Sequence, residues 1–186
     1  SEQRASSLWM SLLLVRADPT YTEIEFEAGK PVAVDGKKMK LSEIVIALNK
    51  ISGDNGFGRL DLVEDRLVGL KSRECYEVPG ALTLITAHKA LEDICVEGDL
   101  LKTKIKLEQD WATAVYNGQW YSPLKNALDA FMADTQKFVT GTVRLKFFKG
   151  NCHVVGRKSP FSLYDYGLAT YDRDTTFDEK ASAGFI

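Results

Sequence analysis

Residues 58–80 combine a strand pattern, a strongly polar segment and a helix start in one short stretch. Leu60 and Leu62 alternate with polar residues and are followed by the charged Glu64, which is the pattern of a half-buried strand. The next segment holds too many charged side chains for a core element. Pro79-Gly80 is a breaker pair directly before a long apolar-periodic run. This order places charged side chains near the edge of an element, where ligands are usually held, but it is equally typical of a solvated loop.

The region ahead of this stretch shows the alternation of antiparallel strands. Thr22, Ile24 and Phe26 alternate with glutamates, so one face of a strand is apolar and the other is acidic. Residues 31–34 are predicted to form a second strand that turns at Asp35-Gly36, a strong hairpin pair. A hairpin therefore opens the readable part of the chain.

Apolar residues recur at helical spacing in four segments. Ser42 is predicted to cap the first helix, which ends at Gly53, and Asp99 is predicted to cap the third. Pro79 suits the first turn of the second helix, and Ser122-Pro123 provides a cap and a first-turn proline for the fourth. The residues of the four apolar faces are Leu41, Val45, Leu48 and Ile51; Leu84, His88, Leu91 and Cys95; Leu101, Ile105, Trp111 and Val115; and Leu124, Leu128, Phe131 and Met132.

The last predicted element is a basic hairpin. Val143, Leu145 and Phe147 alternate with other residues in one strand, and residues 152–156 return as its partner after a turn at residues 149–151. The basic residues of this region are Arg144, Lys146, Lys149, Arg157 and Lys158, with Phe147 and Phe148 among them. A basic surface with aromatics is one way to bind single-stranded nucleic acid. A solvated strand face is favoured instead, because the chain has no overall basic footprint.

The composition of the chain argues against several classes of function. The net charge of −2 indicates no general affinity for nucleic acid or membranes, and there is no apolar run long enough for a membrane span. The three cysteines are widely spaced, which is typical of reduced cytosolic thiols. The two histidines, His88 and His153, have no cysteine close by in sequence, so no metal site is predicted. His88, on an apolar helix face, is more typical of a hydrogen-bonded core histidine than of a catalyst.

Nucleotide-binding and hydrolase motifs are missing from the sequence. The glycines form neither a GxxxxGK[ST] loop nor a GxGxxG segment after a strand. There is also no Gly-x-Ser-x-Gly nucleophile elbow. No catalytic residue and no cofactor-binding residue are therefore assigned.

Several short blocks in a fixed order resemble argininosuccinate synthase. They are Val63-Glu64-Asp65-Arg66, Gly69-Leu70-Lys71-Ser72-Arg73, Tyr76-Glu77-Val78-Pro79-Gly80, Ala87-His88-Lys89-Ala90-Leu91-Glu92, Val115-Tyr116-Asn117-Gly118-Gln119-Trp120-Tyr121-Ser122-Pro123, Val139-Thr140-Gly141-Thr142-Val143-Arg144-Leu145-Lys146, Lys149-Gly150-Asn151, Gly156-Arg157-Lys158-Ser159-Pro160, Ser162-Leu163-Tyr164-Asp165 and Gly184-Phe185-Ile186. The resemblance covers roughly residues 21–186. Departures from the family pattern include Asp65, Cys75, Val78 and Ala81-Leu82.

The resemblance implies a function. The family joins citrulline and aspartate with ATP: the ureido oxygen of citrulline displaces pyrophosphate, and the aspartate amine then displaces AMP. It implies that ATP with Mg²⁺ and the aspartate contacts belong to an N-terminal domain whose phosphate loop is absent here, so that this chain resembles the C-terminal half alone and is not active by itself. It implies citrulline contacts at Glu64 and Tyr76, which keep the family spacing of twelve residues. It also implies a cytoplasmic homotetramer.

We therefore predict an α+β fold, with a mostly antiparallel sheet from the hairpins and the Arg59 strand and with three or four packed helices. Residues 1–20 are predicted to be a linker or the remnant of an upstream domain. Residues 21–171 are predicted to be the family's C-terminal domain, and residues 172–186 to exit toward a C-terminal oligomerisation helix. The alternative is a free-standing interaction or scaffold domain that keeps the fold without the chemistry. The two differ in whether Glu64 and Tyr76 converge.

Overall fold

A computed structural model describes residues 18–169 and confirms the α+β class. The strands are β1 (Thr20–Glu27), β2 (Lys30–Val34), β3 (Lys37–Lys38), β4 (Arg59–Asp65), β5 (Lys71–Glu77), β6 (Gly141–Phe148) and β7 (Asn151–Lys158). The helices are α1 (Leu41–Asp54), α2 (Pro79–Cys95), α3 (Gly98–Tyr116), α4 (Pro123–Thr135) and the short α5 (Tyr166–Ala169). Among these residues, no helix is both long and apolar enough to cross a membrane.

The core lies between one face of a five-stranded antiparallel sheet and the helices α1 and α2. The strand order is β3-β2-β1-β6-β7, and Ile24 of β1 pairs with Val143 of β6. Ile24, Val143 and Phe147 are fully buried, as the alternation predicted. Ile44 and Leu91 cover them from α1 and α2 in the same apolar cluster. Burying side chains of this size contributes roughly 1.5–3 kcal/mol each, so this cluster stabilises the frame that carries the remaining elements.

The Arg59 strand does not join this sheet, and here the prediction was wrong. Within the described part of the chain, β4 pairs only with β5, in a separate two-stranded antiparallel sheet. The polar segment after Glu64 is therefore a second strand and not an irregular crossing. The cross-strand ion pairs of this hairpin are Arg59–Glu77, Asp61–Arg73 and Asp65–Lys71. Opposite charges facing each other across the two strands favour this pairing without burial of an apolar face.

Two of the predicted helix caps were wrong and one is confirmed. The α1 cap is Lys40, whose backbone N–H donates to Glu43 at 2.8 Å, and Ser42 lies inside the helix. The α3 cap is Glu97, whose carboxylate accepts from two backbone amides of the first turn. Ser122 does cap α4, because its hydroxyl accepts from the backbone amide of Lys125. The charged caps were missed because the sequence reasoning admitted only the usual small cap residues.

The glycine at the base of the β4–β5 hairpin is required there. Gly58 has a φ of +104°, and a Cβ at this position would lie 2.2 Å from Pro79 Cα. The Gly58 carbonyl also accepts from the Val78 backbone N–H at 2.8 Å, which closes the base of the hairpin beside α2. The sequence did not reveal this contact because it joins residues far apart in the chain.

We expect Gly58→Ala to lower the free energy of unfolding by more than Gly69→Ala. Both positions have positive φ, which costs an alanine about 1 kcal/mol, but Gly69 has no atom within 4 Å of its added Cβ. The difference between the two variants therefore reports the collision with Pro79. Urea unfolding followed by circular dichroism measures both, and equal losses would contradict the prediction.

Candidate functional site

The β4–β5 hairpin presents the two predicted site residues on one face. Side chains alternate along a strand, and directly paired antiparallel residues point to the same side. Leu60 pairs with Tyr76, and Glu64 pairs with Ser72. Glu64 and Tyr76 therefore share a face with Glu74. The Arg59–Glu77 ion pair lies on the opposite face.

Glu64 and Tyr76 are in direct contact. The Tyr76 hydroxyl donates to Glu64 Oε2 at 3.0 Å, and Arg66 Nη1 lies 3.1 Å from Glu64 Oε1. Arg66 Nη2 also donates to Glu74 Oε1 at 3.3 Å, so one guanidinium joins two carboxylates. Glu64 thus makes a salt bridge with Arg66 together with the tyrosine contact. The neighbouring Lys71 pairs with Asp65.

The site is partly open to solvent, and the pKa values of two of its side chains are raised. The Glu64 side chain is 24% exposed, and Tyr76 is 38% exposed. The hydrogen bond to Glu64 raises the pKa of the Tyr76 phenol, because the bond and the nearby charge both favour the neutral form. Glu64 likewise raises the pKa of the Arg66 guanidinium. A carboxylate and a phenol in this arrangement can accept N–H groups from a ligand and hold its carbon chain against an aromatic ring.

Two further residues around the site, Ser72 and Glu74, were missed by the sequence reasoning. Ser72, directly opposite Glu64, has a hydroxyl shielded from solvent and without a hydrogen-bond partner. Arg66 and Glu74 form the ion pair described above. The only signal available was the register of the hairpin, which places these residues beside Glu64 once β5 is recognised as a strand. Near this end of the hairpin, Tyr116 of α3 also approaches, with its hydroxyl 3.5 Å from the Asp65 carbonyl oxygen.

Other predicted features of the chain lie elsewhere. The basic hairpin β6–β7 places Arg144 and Lys146 over the Tyr21 ring, and Arg144 approaches Glu23 at 3.8 Å. Acidic and basic residues therefore mix on this outer strand face. Within residues 18–169, no group of three His, Cys, Asp or Glu side chains is placed to hold a metal ion.

We expect Tyr76 to ionise at a higher pH than an ordinary tyrosine. Because the Glu64 carboxylate stabilises the protonated phenol, the raised pKa should return toward its usual value in Glu64→Gln. The difference between the ultraviolet pH titrations of the wild-type chain and of Tyr76→Phe isolates this one group. A Tyr76 titration that is unchanged by Glu64→Gln would contradict the contact.

Comparison with known proteins identifies the family of this chain. A family model described as the arginosuccinate synthase C-terminal domain matches residues 9–186. The chain belongs to the argininosuccinate synthase family. The argininosuccinate synthase of Rubrobacter xylanophilus is 53% identical over 169 residues, which are 91% of this chain and 41% of the relative. That of Bacillus subtilis is 54% identical over 168 residues, covering 90% and 42%.

The match to argininosuccinate synthases covers only part of those proteins. The relative from Thermosynechococcus vestitus is 51% identical over 180 residues, which are 96% of this chain and 45% of that protein. The chain thus spans less than half the length of these curated relatives. The predicted segments 1–20 and 172–186 lie almost entirely outside the described residues, which begin at residue 18 and end at residue 169. The predicted domain boundaries therefore stay predictions.

Proposed function

We propose that this chain forms the citrulline-binding part of an argininosuccinate synthase, an enzyme that condenses citrulline with aspartate and converts ATP to AMP and pyrophosphate. Family membership supports the reaction class. The observation that carries the proposal is the contact between Glu64 and Tyr76 on one hairpin face at 3.0 Å. Side chains on opposite faces of the domain would have counted against a shared substrate site.

In this proposal Glu64 and Tyr76 orient citrulline and transfer no proton. The Glu64 carboxylate accepts N–H groups of the substrate, and the Tyr76 ring packs against its methylene chain while the hydroxyl keeps the carboxylate in place. Holding the ureido group in a fixed position lowers the entropic part of the barrier. The reaction at phosphorus is then carried out by other groups, which approach this face of the hairpin.

Arg66 is the proposed counter-ion that makes way for the substrate. It already contacts two carboxylates, Glu64 at 3.1 Å and Glu74 at 3.3 Å. A cationic or N–H donor group of the substrate can take one Glu64 oxygen while the guanidinium keeps its bond to Glu74. Neither the arginine nor the incoming donor is then left without a partner, which limits the cost of exchange.

The remaining parts of the function are proposals from the family. ATP with Mg²⁺ and aspartate bind residues outside this chain, in agreement with its lack of a phosphate-loop sequence. We also propose a homotetramer in the cytoplasm, with no membrane or nucleic-acid partner. The chain alone is then inactive.

The test mixes this chain with a separately produced ATP-binding half of a relative and measures pyrophosphate release. Release is expected only when citrulline, aspartate and ATP are all present, and not from either half alone. Glu64→Ala should abolish most of it, whereas Glu77→Ala, on the other face of the same hairpin, should not. A stable complex that releases no pyrophosphate would refute the proposal and favour a scaffold domain.

A further inference from the structure

A second cleft lies between α2 and the α3–α4 pair, and Phe26 and Pro31 of the main sheet also line it. Its volume is about 700 Å³, within the range of small-molecule sites. Apolar side chains form much of its wall, among them Leu84, Ile85, Trp111 and Met132. Ile85 is half exposed at the rim, so the cleft is open to solvent.

Charged groups are buried in the wall of this cleft. The side chains of Glu92 and Lys104 are only 3% and 6% exposed, and Lys104 Nζ lies 3.1 Å from Glu92 Oε1. Lys104 also bonds Glu108, one helical turn further along α3. Two carboxylates therefore share one ammonium, so these three groups carry a net charge of −1. Lys89 and Asp129, which have opposite charges, also line the cleft. A net negative charge in a low-dielectric wall favours a cationic neighbour.

The hydrogen-bond network fixes which His88 nitrogen carries the proton. The amide nitrogen of Gln136 donates to Glu92 Oε1 at 2.6 Å and to Thr135 Oγ1 at 3.1 Å. The amide oxygen of Gln136 therefore faces His88 Nε2, at 2.8 Å, and must accept a hydrogen bond from its N–H. In the neutral ring the other nitrogen, Nδ1, is then an acceptor.

This arrangement leaves two hydrogen-bond acceptors with no donor between them. His88 Nδ1 lies 3.7 Å from Glu92 Oε2, beyond hydrogen-bond distance, and within residues 18–169 neither atom has another hydrogen-bond partner. Both residues line the cleft. A single group with several N–H donors would satisfy both acceptors and neutralise the excess charge.

We propose that this cleft binds a small molecule with one ammonium group on an apolar body, and that the ammonium donates to His88 Nδ1 and Glu92 Oε2. The apolar body packs against Leu84, Trp111 and Met132. This site is separate from the Glu64–Tyr76 face and does not depend on the proposed synthase reaction.

The probe is n-pentylammonium, titrated into the full 186-residue chain and followed by ¹⁵N–¹H correlation spectra and calorimetry. We expect amide shifts concentrated at Leu84, Ile85 and Ala112. Affinity for 1-pentanol should be about tenfold lower or worse, because a charge-assisted hydrogen bond is lost while the apolar body is kept. Pentanoate should not bind. Equal affinities for the amine and the alcohol, or shifts located elsewhere, would overturn the proposal.

Two tryptophan variants, one inside the cleft and one outside it, separate the loss of the binding site from a general effect of the substitution on folding. Ile85→Trp should remove n-pentylammonium binding by occupying the cleft, while Ile46→Trp, at an exposed α1 position outside it, should leave binding unchanged. Binding that survives Ile85→Trp would overturn the site. So would a His88 ring that carries protons on both nitrogens at the pH of the titration, since the proton would then already fill the place of the ligand donor.

Discussion

Lys104→Ala is expected to lower the free energy of unfolding by about 3–5 kcal/mol, because it leaves the buried Glu92 carboxylate without its cation. Burial alone would lower the pKa of Lys104, but its hydrogen bonds and charge interactions with Glu108 and Glu92 outweigh that effect and hold the pKa above its ordinary value. The ammonium is therefore charged in the fold. Urea or thermal unfolding monitored by circular dichroism measures the loss.

The matched control for Lys104 is another lysine of the same helix. Lys102 makes an exposed pair with Asp99 at 2.9 Å, and its removal should change stability by less than about 1 kcal/mol. The double variant Glu92→Gln, Lys104→Met should recover much of the loss, because no buried charge is then left unpaired. A Lys104→Ala variant as stable as Lys102→Ala would show that the pair contributes nothing.

Glu64→Gln is expected to raise the KM for citrulline on the order of 10- to 100-fold in the chain completed by an ATP-binding half, with a much smaller change in kcat. The substitution keeps the shape and a bond to Tyr76 but removes the charge-assisted hydrogen bonds to the substrate, which are worth about 1.5–3 kcal/mol. Hydrogen bonds made equally in the ground state and in the transition state affect KM and not kcat, and the glutamine keeps the shape that orients the ureido group. Steady-state pyrophosphate release at varied citrulline measures both constants.

Glu77→Gln is the control for this charge change. Glu77 lies on the same hairpin but on its other face, where it pairs with Arg59 at 2.9 Å. The KM of the Glu77→Gln variant for citrulline should stay within about twofold of the wild-type value, since exposed ion pairs contribute little. A KM that rises equally in both variants would indicate a general effect on the hairpin and not a contact at Glu64.

Much of the frame could be predicted from the sequence because its burial follows a simple period. Ile24, Phe26 and Val143 alternate with polar residues, and each lies in the core. The pairing of β4 with β5 could not be predicted, because β5 has no buried face to impose alternation. Its pairing depends on charges that meet across the strands, such as Asp61 and Arg73, and these partners become visible only with the register.

The candidate site was predicted from resemblance and not from pattern. Local sequence around Glu64 and Tyr76 is as typical of a solvated loop as of a binding face. The hairpin brings the two residues together, although twelve positions separate them. The unpartnered hydroxyl of Ser72 and the double pairing of Arg66 require three-dimensional neighbours, so no reading of spacing alone could have found them.

The separation of the two sheets has a consequence for hydrogen exchange. The amides of β1 and β6 lie in the interior of the main sheet and exchange only when the core opens, whereas β4 and β5, among residues 18–169, form sheet hydrogen bonds only with each other. The hairpin can therefore open as an independent unit, at a free energy below that of global unfolding. Any partner that packs on the Glu64 face would slow exchange in β4 and β5 and leave the rates in β1 and β6 unchanged.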